Sequence, residues 1–136
     1  KHVLQFAIED PADVVVIVDS QKNSKNTAKT DMVFATAPDS HSFFGEEAWV
    51  KQMDFKAPDD MYSGEWIGVM KFSPKGVGLM EDFIQKNQDQ SEFQNLDIRD
   101  MINQFVKDGV KVKIQYITGH WVDVNNISDL SNAIDF

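Results

Sequence analysis

The chain has 136 residues, 42% of them hydrophobic, and a formal net charge of -9. That length is expected to form one domain with a buried core, and the negative charge disfavours nucleic acid and anionic membrane as partners. Cysteine is absent, which excludes disulfides and thiolate chemistry and suits a reducing, cytoplasmic setting; no transmembrane run or signal-peptide pattern appears.

Residues 2–9 carry Val3, Leu4, Ala7 and Ile8 at the spacing of a short helix, stopped by Asp10-Pro11. Residues 12–18 hold the run Val14-Val15-Val16-Ile17-Val18, which suits a strand covered on both faces, as in a parallel sheet. Asp19 ends that strand. Residues 21–30 are polar and predict a loop, residues 32–36 a second strand, and residues 38–45 another loop. Residues 46–53 predict a helical turn or two, and residues 56–63 a loop. Residues 66–72 predict a strand. Ser73-Pro74 then opens a helix, with Ser as N-cap and Pro at the first helical position. Its expected apolar face is Val77, Met80, Phe83 and Ile84, and residues 85–95 read as a connector. Asp97 caps the next helix, whose stripe Ile98, Met101, Ile102, Phe105 and Val106 fits the helical period. Gly109 is a natural stop. Residues 110–117 predict a strand that runs on into residues 121–124. Asn126 caps a last helix, with Asp129 at its third position.

Alternating strands and helices predict an α/β layered fold with a largely parallel sheet. Acids at strand ends are the candidate functional groups. Asp19 follows a buried strand, and Asp123 follows the last one, beside a helix N-terminus where a divalent cation could meet a phosphate. Histidines 2, 41 and 120 have no metal-ligand spacing. Lys22, Lys25 and Lys29 lie in a polar loop and read as solvated, as do Glu46, Glu47, Asp59 and Asp60. Trp66 and Trp121 read as core residues.

The ordered set of segments resembles a known family. The block from Tyr116 through Gly119-His120-Trp121-Val122-Asp123 to Asp129-Leu130 resembles the last strand and helix of the nucleotidyltransferases. So do residues 12–20, Gly64-Glu65-Trp66-Ile67-Gly68 with Lys71-Phe72-Ser73, and Leu96-Asp97 with Ile102 and Phe105. The likeness is nearest to the cytidylyltransferase-like domain fused to phosphoenolpyruvate-phosphomutase-like enzymes of phosphonate biosynthesis, with phosphocholine cytidylyltransferases more distant. It implies a partial Rossmann-like α/β nucleotidyltransferase layer, a mostly parallel (mixed) sheet flanked by helices. It also implies transfer from a nucleoside triphosphate, expected to be CTP, to a phosphonate or phosphorylated small molecule. Asp123 matches the family's C-terminal metal carboxylate, for Mg²⁺; Glu65 matches an acid near the substrate pocket. Asp19 and His120 are further candidate substrate contacts. The family's glycine-rich basic loop after its first strand has no counterpart here. The chain is therefore expected to correspond to the C-terminal portion of such a domain and not to turn over alone. The alternatives are a module that dimerises across an exposed sheet edge or binds a partner, or a small-anion binding domain.

Overall fold

The computed structural model describes residues 2–21, 31–40, 46–55 and 64–119. In chain order its elements are α1 (His2–Glu9), β1 (Val14–Asp19), β2 (Met32–Ala35), β3 (Ala48–Asp54), β4 (Gly64–Phe72), α2 (Pro74–Asn87), a 3-10 turn (Phe93–Asn95), α3 (Ile98–Lys107) and β5 (Val112–Ile117). The strands close into a small mixed barrel in the order β1-β4-β2-β3-β5. Only β1 and β5 run parallel among these pairs; the other four pairings are antiparallel. The hairpin β2–β3 joins the sheet β4–β1–β5 through short seams, Met32↔Glu65 and Val33↔Gly64 on one side and Ala48↔Ile114 and Trp49↔Lys113 on the other.

This corrects the expected Rossmann-like architecture of a mostly parallel open sheet flanked by helices. The run in β1 is fully buried, as its composition requires. What covers it differs. Val14, Val16 and Val18 face a core with Val33, Val50, Met53, Val112 and Ile114, completed by Met101, Ile102 and Phe105 of α3. Val15 and Ile17 face Ala7 of α1 with Ile67, Val69 and Ile117. An apolar run reports that both faces are covered; it does not distinguish a curled barrel from a doubly wound sheet.

Two further expectations fail for local reasons. Residues 46–53 form most of β3, not a helical turn. The β2–β3 ladder slips between Phe34 and Ala35, so a bulge breaks the alternation. Ala48, Val50 and Met53 are buried with a gap of three before the methionine, a spacing that imitates a helix. On α2, Val77 and Ile84 are 38% and 40% exposed, and the core side is formed by Leu79, Met80 and Phe83. That helix also runs through Asn87, into the expected connector.

A second bulge sets the geometry of one barrel end. The β1–β4 ladder runs from Val14↔Phe72 to Val16↔Met70, then resumes at Val18↔Trp66 and Asp19↔Glu65, two residues out of step. Gly68 lies in the bulge with φ +80°, the left-handed region that favours glycine. The Trp66 indole N–H donates to the Val69 carbonyl at 3.0 Å, satisfying an acceptor inside the irregular stretch. Gly64 is needed for close approach: a Cβ there would lie 2.3 Å from the Asp19 carbonyl oxygen.

Helix α3 is tied down at both levels. Asp97 accepts from the amides of Arg99 (2.8 Å) and Asp100 (3.3 Å), while the Asp100 carboxylate accepts the Asp97 amide at 2.8 Å, a capping box. Asn103 accepts the Met53 N–H and donates to the Met53 carbonyl, both at 2.8 Å. Its side chain thereby stands in for a strand neighbour where β3 has left β5.

The two glycines separate steric overlap from backbone strain. Gly64→Ala is expected to lower stability by about 2–3 kcal/mol and to shift the amide resonance of Asp19. Gly68→Ala, whose Cβ would meet nothing within 4 Å, should cost about 1–2 kcal/mol and leave Asp19 in place. Urea unfolding and amide spectra check both.

The helix cap predicts a pH dependence. Burial works against the Asp97 charge, but hydrogen bonds from the Arg99 side chain and from the amides of Asp100 and Arg99 outweigh it and hold the carboxyl below its ordinary 3.8. A folded value below the unfolded one means the stabilisation is full above pH 3.8 and is lost as pH falls through the folded value. Asp97→Ala should therefore be about 1 kcal/mol less stable at neutral pH, with the gap closing in acid.

Candidate functional site at the end of the parallel strand pair

Asp19 is the last residue of β1 and is only 5% exposed, the one buried charged residue among the described residues. Its Oδ1 accepts the N–H of Gln21 and the N–H of Gly119, each at 2.9 Å. One carboxylate thus closes the turn after β1 and holds the chain leaving β5. Ser20 reinforces the junction. Its N–H donates to the Ile117 carbonyl at 2.9 Å, and its hydroxyl reaches the same carbonyl and the Asp39 carboxylate. The Tyr116 hydroxyl donates to the Ala37 carbonyl at 2.8 Å, drawing the segment after β2 to the same end.

The bulge in β4 brings a second acid here. Asp19 and Glu65 are direct partners in the antiparallel ladder, so their side chains leave the same face. Like charges placed opposite each other are unfavourable unless something cationic or hydrogen-bonding balances them. Both residues make interactions beyond those described above. The pair supplies hard oxygen donors, but no three His, Asp or Glu come together as a metal-binding group among the described residues.

Of the four candidates singled out in the sequence, Asp19 and Glu65 are therefore brought together. His120 and Asp123 lie outside the described residues, as do Lys22, Lys25 and Lys29. Gly119, one residue before His120, touches Asp19 directly. Ser20 and Tyr116 lie in segments that carry the resemblance but were not singled out as site residues, and Asp39 was not marked at all. The Asp-Ser pair closing a buried strand was the available signal for the first.

The opposite end of the barrel is a different environment. The segment Gly76-Val77-Gly78 follows a strand, as a phosphate loop would, but it lies inside α2. The start of that helix already has its anion. Asp13 accepts from the Ser73 hydroxyl at 2.8 Å and pairs with Lys75 at 2.8 Å, contacts that lower its pKa, with Lys75 the larger influence. A Cβ on Gly76 would lie 2.2 Å from the Asp13 carbonyl oxygen, so that glycine serves packing. Cavities of about 560 and 430 Å³ open between α2 and α3 and beside Trp49, and neither is lined by Asp19 or Glu65. No described helix is long and apolar enough to cross a membrane.

No family model matches the chain, and no curated protein matches it. Among solved structures it is similar to the nucleoside-diphosphate-sugar pyrophosphorylase from Vibrio cholerae RC9, with a TM-score of 0.54 and 12% identity. The match covers 92% of this chain and 47% of that one, so the chain spans about half the length of the structure it resembles. At this identity the likeness is one of fold. The closed barrel sets aside the open Rossmann-like sheet.

Proposed function

We propose that the chain is a nucleotidyltransferase-family domain whose Asp19–Glu65 end receives a nucleotide, CTP in the first instance, with a phosphonate or phosphorylated small molecule as acceptor. The observation that carries this is the meeting of Asp19 and Glu65 at the end of the parallel pair. Each was singled out separately in the sequence, and they lie on a fold similar to that of a pyrophosphorylase.

In the reaction an acceptor oxygen attacks the α-phosphorus of the triphosphate, a new P–O bond forms, and pyrophosphate leaves with the electron pair of the broken bond. Little covalent work falls to the protein; placement and charge balance dominate. The amides of Gln21 and Gly119 fix the Asp19 carboxylate, so it meets a ligand already oriented. The donor chemistry of Asp19 and Glu65, with Asp123 beyond Gly119, suits magnesium, which takes one or two carboxylates plus phosphate oxygens. When bound, that ion would neutralise the triphosphate. The sequence has no glycine-rich basic loop for the triphosphate, so this reading expects binding without turnover by the chain alone. Its lack of cysteine fits a cytoplasmic setting.

The described strands close into a barrel and leave the expected sheet edge paired, so a second reading, a non-catalytic module that dimerises, draws instead on α1. There Leu4, Phe6 and Ile8 are each more than half exposed, and clustered exposed apolar groups mark interaction surfaces.

Amide-shift titration of the purified chain with CTP and MgCl₂ tests the first reading. Shifts at Ser20, Gln21, Glu65 and Gly119 are expected, weakened at least tenfold by Asp19→Asn, with no pyrophosphate released when a phosphonate is added. Unmoved amides at millimolar CTP overturn it. Shifts with phosphonate alone identify a small-anion site instead. Sedimentation of the same sample decides the dimer: a monomer at high concentration removes it.

A further inference from the structure

We propose that Arg99 is a positioning residue for the Asp19–Glu65 end, acting through Asp31 and the seam between β2 and β4. This rests on the function proposed above only for its importance, not for its geometry.

Arg99 lies in the first turn of α3, and its side chain is 15% exposed. It pairs with Asp97, the cap of its own helix. Its Nε lies 3.3 Å from Asp31 Oδ1, and its guanidinium carbon sits 3.0 Å from the centroid of the Phe55 ring. Asp31 immediately precedes β2 and Phe55 immediately follows β3. Met32 and Asp54 are ladder partners, so these two residues flank the same end of the hairpin. One side chain therefore grips the hairpin where it enters and where it leaves.

That grip reaches Glu65 in one step. The Asp31 carbonyl accepts the Trp66 N–H at 2.8 Å, and Met32 is the ladder partner of Glu65. With the seam this short, the Asp31–Trp66 bond is a large share of what holds β4 beside β2. It fixes Glu65 from the side away from Asp19. The Asp31 Oδ1 is buried and accepts no hydrogen bond among the described residues, so its contact with Arg99 is a charge pairing without a hydrogen bond. Without Arg99, a half-buried carboxylate with one buried oxygen loses its described counter-charge, and that oxygen is left without compensation. Relief comes by moving Asp31 toward water, and its carbonyl leaves Trp66 with it.

Amide hydrogen exchange on the intact chain, without ligand, tests this. Arg99→Met should speed exchange at Trp66 at least tenfold, while Val15 and Ile17 of β1 change less than twofold. Arg99→Lys, which keeps the charge, should restore Trp66 to within about threefold of the parent. Asp31→Asn should weaken the effect of Arg99→Met, because both act through one contact. Faster exchange spread evenly over the strands, or none at Trp66, overturns the proposal. Should Arg99→Met not fold, Arg99→Lys and Asp31→Asn decide it by the same local measurement. Failure of CTP to bind would leave this result intact, so the two claims fail separately.

Discussion

Every side chain of Val14–Asp19 is removed from water, and the rest of the structure follows from how that is done. Full burial of an aliphatic side chain contributes about 1.5–3 kcal/mol, so the five in β1 together supply on the order of 10 kcal/mol, comparable with the net stability of a whole domain. Such a strand needs cover on two faces and hydrogen bonds on two edges. The faces come from α1 and from the core shared with α3; the edges come from β4 and β5. Asp19 extends the burial to a charge, and two amides turn toward its Oδ1 to offset the cost. The same residue thus ends the hydrophobic strand and organises the surface beyond it.

Helix α3 is the strut between that strand and the hairpin. Its apolar side supplies Met101, Ile102 and Phe105 to the core. Its polar residues do a second job, since Asn103 pairs with the backbone of β3 and Arg99 with the ends of both hairpin strands. The hairpin meets the sheet through short ladders, so side chains from a helix replace part of the hydrogen bonding that longer ladders would have provided. The barrel is consequently closed by tertiary contacts as much as by strand pairing.

What could be read in the sequence was local. Val14–Val18 announced a buried strand, Ser73-Pro74 a helix start, and Asp97 with its stripe a capped helix; each signal and its consequence lie within one or two turns of chain. What could not be read was pairing. The closed order of strands depends on contacts between distant segments. The partnership of Asp19 with Glu65 depends on the bulge at Gly68, without which the ladder would carry Ile67 to that place. Residues 46–53 misled for a related reason, because a bulge changed the buried spacing from two to three. Asp19 could be marked as a candidate by its local setting, and Glu65 by the resemblance to the nucleotidyltransferases. Their adjacency, and the part played by Ser20 and Asp39, belong to the folded chain.

Charge limits what this end of the barrel can bind. The chain carries -9 overall, and the junction itself presents Asp19, Glu65 and Asp39. Arg99 is already paired with Asp97 and Asp31 on the far side of the seam. Among the described residues named at this junction a triphosphate would meet like charge, at a partly buried surface where screening by salt is weak. Any phosphate ligand must therefore arrive with its own cation or draw on cationic groups outside the described residues. The carboxylates at the strand ends make sense in that setting as partners for the cation rather than for the phosphate, which ties the proposed nucleotide chemistry to the arrangement of acids and not to a basic pocket.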